Sequence, residues 1–117
     1  FENDLNIDHQ IIYKAVITAS RPLSKTFVNK IYSFEIPSST DFSVSRKTKK
    51  IFNPNFYINV DSTIDKKINL LKIYTDEIKK WPHSRSLKSI KNLAMYRGSQ
   101  IGIKYAEAFI IVRELQN

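Results

Sequence analysis

The sequence predicts an α/β domain, and three observations carry that expectation. Of its 117 residues, 42% are apolar, enough for one domain (residues 1–117) with one modest core. Segments with apolar residues at helical spacing alternate with short runs rich in β-branched and aromatic residues. Their order, helix-strand-strand-helix-helix-strand, makes a weak self-contained domain. It makes a better second half of an α/β protein whose first strands lie upstream.

Ile12, Ala15, Val16 and Ala19 recur at helical spacing, which predicts a helix over about residues 8 to 20. Asp8 or Asn6 can cap its start, and Pro22 stops it. FVNKIYSFEI, residues 27 to 36, predicts a strand. Residues 37 to 50 are loop by composition. NFYINV, residues 55 to 60, alternates as a second strand does, and Asn53-Pro54-Asn55 is its entry turn. Asp61 or Ser62 then caps a long helix over about residues 63 to 80. Ile64, Ile68, Leu71 and Ile78 form its buried stripe, and Pro82 ends it. Ser84 or Ser86 caps a third helix that turns Leu87, Ile90, Leu93 and Ala94 inward. Gly98 stands where a left-handed residue would end that helix. Residues 105 to 115 are apolar and β-prone around Phe109-Ile110-Ile111-Val112, which predicts a final strand, although Ala106-Glu107-Ala108 also suits a helix.

Composition excludes several chemistries. The chain has no cysteine, so it has no disulfide, thiolate zinc site or thiol nucleophile. That usage fits a cytoplasmic protein. It has two glycines, too few for a glycine-rich phosphate loop, and no G-x-S-x-G elbow. No run approaches the apolar length that spans a bilayer, and no segment resembles a signal peptide. Nineteen Lys and Arg against eleven Asp and Glu leave a net charge of +8. Such a balance suits an anionic partner. However, the densest basic cluster, Arg46-Lys47-Thr48-Lys49-Lys50, is short and lacks the interleaved aromatics that single-strand binding uses. Nucleic acid is therefore not the expected partner.

The suggestive corner lies at the start. NDLNIDHQ puts Asp4, Asn6, Asp8 and His9 at the mouth of the first helix. An Asp there is also a good cap, and a lone His is more often a surface or capping residue than a ligand. One His cannot hold a catalytic zinc, which takes about three protein ligands and a water. The other histidine, His83, lies in a Pro82-His83-Ser84-Arg85-Ser86 turn that no spacing links to His9. Glu107 sits in the apolar tail and needs a cation beside it, for which Arg97 and Arg113 are candidates.

Five stretches, taken in order, resemble a known family. Asp4-Leu5-Asn6-Ile7-Asp8-His9, with the A-x-x-x-A helix and Arg21-Pro22 behind it, resembles the second metal-binding motif of the LmbE/PIG-L-type zinc deacetylases. Phe34-Glu35 with Ser38-Ser39-Thr40, then Phe52-Asn53-Pro54-Asn55-Phe56-Tyr57, then Asp65-Lys66-Lys67, resemble the segments that follow. WPHSRSLKSIKNLAMYRGSQIGIKYAEAF, residues 81 to 109, is similar to the family's C-terminal signature. The resemblance implies the C-terminal part of a Rossmann-type fold that binds one Zn2+. It also implies a hydrolase that removes the acetyl group from N-acetylglucosamine-type sugars and related glycoconjugates.

In that family, two zinc ligands and the general base come from a His-Pro-Asp-Asp stretch after the first strand, and the third ligand matches His9. The Asp matching Asp8 pairs with a catalytic His, whose position here holds Asn6. An amide can donate a neutral hydrogen bond to an oxyanion, but it cannot supply a proton. No His-Pro-Asp-Asp stretch occurs in these 117 residues. The resemblance therefore implies a chain that is inactive alone, whose further zinc ligands come from a segment outside it. His83, Arg85, Arg97 and Glu107 are expected to bind substrate or support the site. The expected partner is an N-acetylated amino sugar, and homo-oligomerisation is left open. The alternatives are a small basic nucleic-acid-binding module and an inactive remnant that binds a partner chain.

Overall fold

The computed structural model describes residues 1–23, 28–44 and 51–116. The basic cluster 46 to 50 and the start of the strand expected at 27 lie outside these. Six elements follow one another: α1 (Ile7–Ala19), β1 (Lys30–Phe34), β2 (Phe56–Asn59), α2 (Ile64–Leu71), α3 (Leu87–Ser99) and β3 (Ala106–Glu114). The strands form a three-stranded sheet in the order β1-β3-β2. β1 and β3 are antiparallel, with Lys30 opposite Glu114 and Phe34 opposite Phe109, and a register shift falls between Ile31 and Tyr32. Backbone bonds join Asn55 to Phe109 and Val60 to Tyr105, so β2 runs antiparallel to β3 as well. The fold is thus a small α/β fold with an antiparallel sheet. The chain divides into two compact units, Phe1–Phe56 with Phe109–Asn117, and Tyr57–Ala108.

In the first unit, both ends of α1 are closed locally. Asn6 is extended, and its side-chain oxygen accepts the Asp8 N–H at 2.9 Å. The Ser20 N–H reaches the Val16 carbonyl at 2.9 Å, and Pro22 bars a further turn. Tyr32 stacks on Phe56 with ring centroids 5.0 Å apart, and Phe109 completes the cluster at 6.3 and 6.2 Å. Ile31 and Ser33 of β1 are also buried. The apolar stripe of α1 does not pack as an amphipathic stripe usually does. No residue of the helix is buried, and Ile12 and Val16 are 59% and 43% exposed, alongside Leu5, Ile7, Ile11 and Leu23. Ile12→Lys is accordingly expected to change unfolding free energy by less than about 0.5 kcal/mol in a urea titration, as at an ordinary surface position.

The second unit is built on α2 and α3. Ile64, Ala94, Ala106 and Ala108 are its buried apolar residues, while Leu87, Ile90 and Leu93 are only half-buried. α2 ends at Leu71, well short of residue 80. Ile73 and Tyr74 bond back three residues, to the Leu70 and Leu71 carbonyls, and this tightens the chain out of the α-helix. Ile73, Thr75 and Asp76 favour that exit, two through β-branching and one through turn chemistry. The cap also differs from expectation. Thr63 occupies the N-cap without a side-chain capping bond, its hydroxyl donating to the Val60 carbonyl, and the Asp61 carboxylate accepts the Tyr105 N–H at 2.7 Å.

Ser86 caps α3 by accepting the Ser89 N–H at 3.1 Å. Gly98 is not the left-handed terminator. It lies inside α3, and Gly102 takes the positive φ, at 78°. Gly98 is required for close approach, because a Cβ there would stand 2.6 Å from the Ile103 carbonyl oxygen and 2.8 Å from the Lys104 carbonyl carbon. These are backbone atoms and cannot swing away. Gly98→Ala is therefore expected to destabilise the chain by about 2 kcal/mol, read as a lower urea midpoint at unchanged slope.

Candidate functional site

The polar corner of the first unit is built from the mouth of α1 and the loop after β1. That loop folds on itself. The Ser39 and Thr40 N–H groups both donate to the Ile36 carbonyl, at 3.1 and 2.9 Å, and the Ile36 N–H donates to the Thr40 hydroxyl at 2.8 Å. Ser38 sits at the bend with φ 67°, a left-handed conformation that costs a non-glycine residue about 1–2 kcal/mol. Such strain persists where the surroundings hold it, and functional sites collect it. Here the loop is tied to the N-terminal segment. The Leu5 N–H donates to the Ser39 carbonyl at 3.3 Å, and the Ser43 hydroxyl donates to the Asn3 carbonyl at 2.8 Å.

Asp4 lies at the centre, with a relative exposure of 0%. One carboxylate oxygen accepts the Asn6 N–H at 3.0 Å, and the other accepts the Thr40 hydroxyl at 2.8 Å. The Gln10 amide donates to the Asp4 main-chain carbonyl at 2.6 Å. Burial alone would push the Asp4 carboxyl up. The hydrogen bonds from Ser39, the Asn6 N–H and Thr40, with the charge of His9, hold it below the ordinary carboxylate value instead.

His9, in the first turn of α1, turns Nδ1 toward this carboxylate at 3.3 Å, and the Ser39 hydroxyl lies 3.5 Å from the same nitrogen. The side chain keeps 25% of its exposure. The carboxylate at the ring is therefore Asp4's. Asp8, whose match in the family pairs with a catalytic His, is exposed in the first turn, where its charge suits the helix N-terminus. Asn6 spends its side-chain oxygen on the cap. Asp4 itself had only a capping role from the sequence. The missed signal was the Ser39-Thr40 pair, whose hydroxyls can satisfy a buried carboxylate from 35 residues away.

The other expected site residues fall in the second unit. In the turn after residue 80, the Arg85 N–H donates to His83 Nδ1 at 3.0 Å, and the Arg85 guanidinium pairs with Glu77. Arg97 is buried on α3 and donates to Gln100 at 3.1 Å. Neither expected cation pairs with Glu107. Lys67 of α2 does, at 2.7 Å, and Arg113 donates to the Ser20 carbonyl. Lys67 and Glu107 lie in the same unit, a proximity that chain spacing does not reveal. Among the described residues, no group of three or more His, Asp or Glu side chains is gathered as a metal cage would need. No helix among them is long and apolar enough to cross a membrane. No protein-family model and no curated protein matches the chain.

Proposed function

We propose that this chain is the C-terminal part of a zinc-dependent N-deacetylase with a Rossmann-type fold, acting on N-acetylglucosamine-type sugars or related glycoconjugates. The observation that carries this reading is the His9 ring: Nδ1 lies 3.3 Å from a buried carboxylate, and the side chain stays partly exposed at the mouth of a helix. Metal-binding imidazoles are held in this way, by a carboxylate on the nitrogen that does not bind the ion. The donor set fits zinc as one ligand of a site completed by residues from outside the chain, since a catalytic site takes about three. The exposed apolar stripe of α1 agrees with a chain that packs against further protein.

When bound, zinc supplies Lewis acidity toward an amide carbonyl and a water of lowered pKa. His9 would hold the ion through Nε2, the ring nitrogen not turned to Asp4. Asn6, its oxygen committed to the cap, has its amide N–H groups to offer as a neutral donor to a developing oxyanion.

The test is a longer chain that also carries a His-Pro-Asp-Asp stretch, assayed for zinc content and acetate release from an N-acetyl sugar. About one zinc and released acetate support the reading. Metal-free protein with salt-dependent oligonucleotide binding would replace it with the nucleic-acid module.

A further inference from the structure

We propose that Asp4 is a positioning residue for His9, fixing the imidazole with its proton on Nδ1 so that Nε2 alone presents a lone pair. The inference rests on the deacetylase reading only for the identity of the ion that Nε2 would hold. Two atoms face Nδ1. One is the Asp4 carboxylate at 3.3 Å, which can only accept. The other is the Ser39 hydroxyl at 3.5 Å, which can turn its own proton to Asp4 and accept from the ring. A neutral imidazole with acceptors on Nδ1 must carry its proton there, leaving Nε2 as the acceptor. In water, a neutral histidine favours the opposite form.

The carboxylate can impose this preference because it cannot move. It is fully buried and held on both oxygens, by the Asn6 N–H and the Thr40 hydroxyl. The loop that supplies Ser39 and Thr40 accepts a left-handed Ser38 in order to do so. The only nearby carboxylate on the helix itself, Asp8, is exposed and acts at the helix terminus.

Nitrogen-15 spectra of the His9 ring in the full 117-residue chain, recorded near pH 8.5 where imidazole is neutral, decide the point. The expected result is a protonated Nδ1 and an unprotonated Nε2. Asp4→Ala is expected to return the ring to the form that dominates in water, and Asp8→Ala to leave it unchanged. A wild-type ring protonated on Nε2 overturns the proposal, as does a folded Asp4→Ala chain with the wild-type pattern. Because the wild-type spectrum decides by itself, loss of folding in the variant leaves no gap. Titration with zinc alone separates the two readings. If the ring is protonated on Nδ1 but zinc never perturbs Nε2, even in the longer chain, the deacetylase reading falls and the positioning role stands.

Discussion

In the longer chain bearing a His-Pro-Asp-Asp stretch, His9→Ala is expected to lower zinc affinity and acetate release by more than about 100-fold. On the proposed function it removes a ligand outright, whereas changes one step out from a metal typically cost about 10–100-fold. Asp4→Ala is expected to fall in that lower range, because the Asp4 carboxylate is the one 3.3 Å from the ring. Asp8→Ala, at an exposed first-turn position, is expected to cost less than Asp4→Ala. The ranking follows from the structure, in which Asp4 and not Asp8 faces the ring. The 117-residue chain alone is expected to bind zinc weakly, since water replaces each absent ligand and preorganisation is lost. Calorimetric titration with zinc, paired with an acetate assay, reads both. Tight one-to-one binding by the 117 residues alone would mean that other residues of this chain complete the site. Unchanged zinc content in His9→Ala would remove His9 from it.

Asp4→Ala is expected to destabilise the folded chain by about 3 kcal/mol. Truncation deletes the acceptor for the Asn6 N–H and the Thr40 hydroxyl, and each buried donor left unmatched costs about 1–3 kcal/mol. Part of that loss is relieved as the Ser38 loop relaxes, so the two costs are not summed in full. The pH dependence follows from the direction of the shift. The folded-state pKa of Asp4 lies below its ordinary value, so the unfolded chain takes up the proton first as pH falls. The carboxylate's contribution is thus fully present above about pH 4, and it is lost as pH drops through the lowered folded-state value. Asp4→Asn is expected to flatten this acid limb of the unfolding free energy. If wild type and Asp4→Asn decline in parallel below pH 4, the buried carboxylate is not what the acid limb reports.

Local signals in the sequence located most of the secondary structure. The period of Ile12, Val16 and Ala19, closed by Pro22, marked a helix over 8 to 20, and α1 is Ile7–Ala19. The β-branched run at 109 to 112 marked β3. Asn6 and Ser86 were both named as possible caps, and both cap. These successes share a cause: periodicity, capping and turn chemistry act over a few residues and are written in consecutive positions. The same reasoning overextended α2, because a continuing apolar period at Ile78 outweighed the turn-forming Ile73 to Asp76.

What the sequence by itself determined is therefore the kind and approximate place of each element, together with a polar corner at the mouth of α1 that contains His9. Only the tertiary structure decided which groups serve that corner and which faces are covered. Asp4 became a buried acceptor because residues 36 to 40 fold back onto it. Glu107 took Lys67, 40 residues away in the chain, rather than an arginine. Gly98 answers to the Ile103–Lys104 backbone and not to a helix end, and the apolar stripe of α1 stays in solvent. The first two depend on atoms far apart in the chain being brought within a few ångströms. Desolvation and hydrogen-bond satisfaction act at that distance whatever the sequence separation, so no local pattern records them.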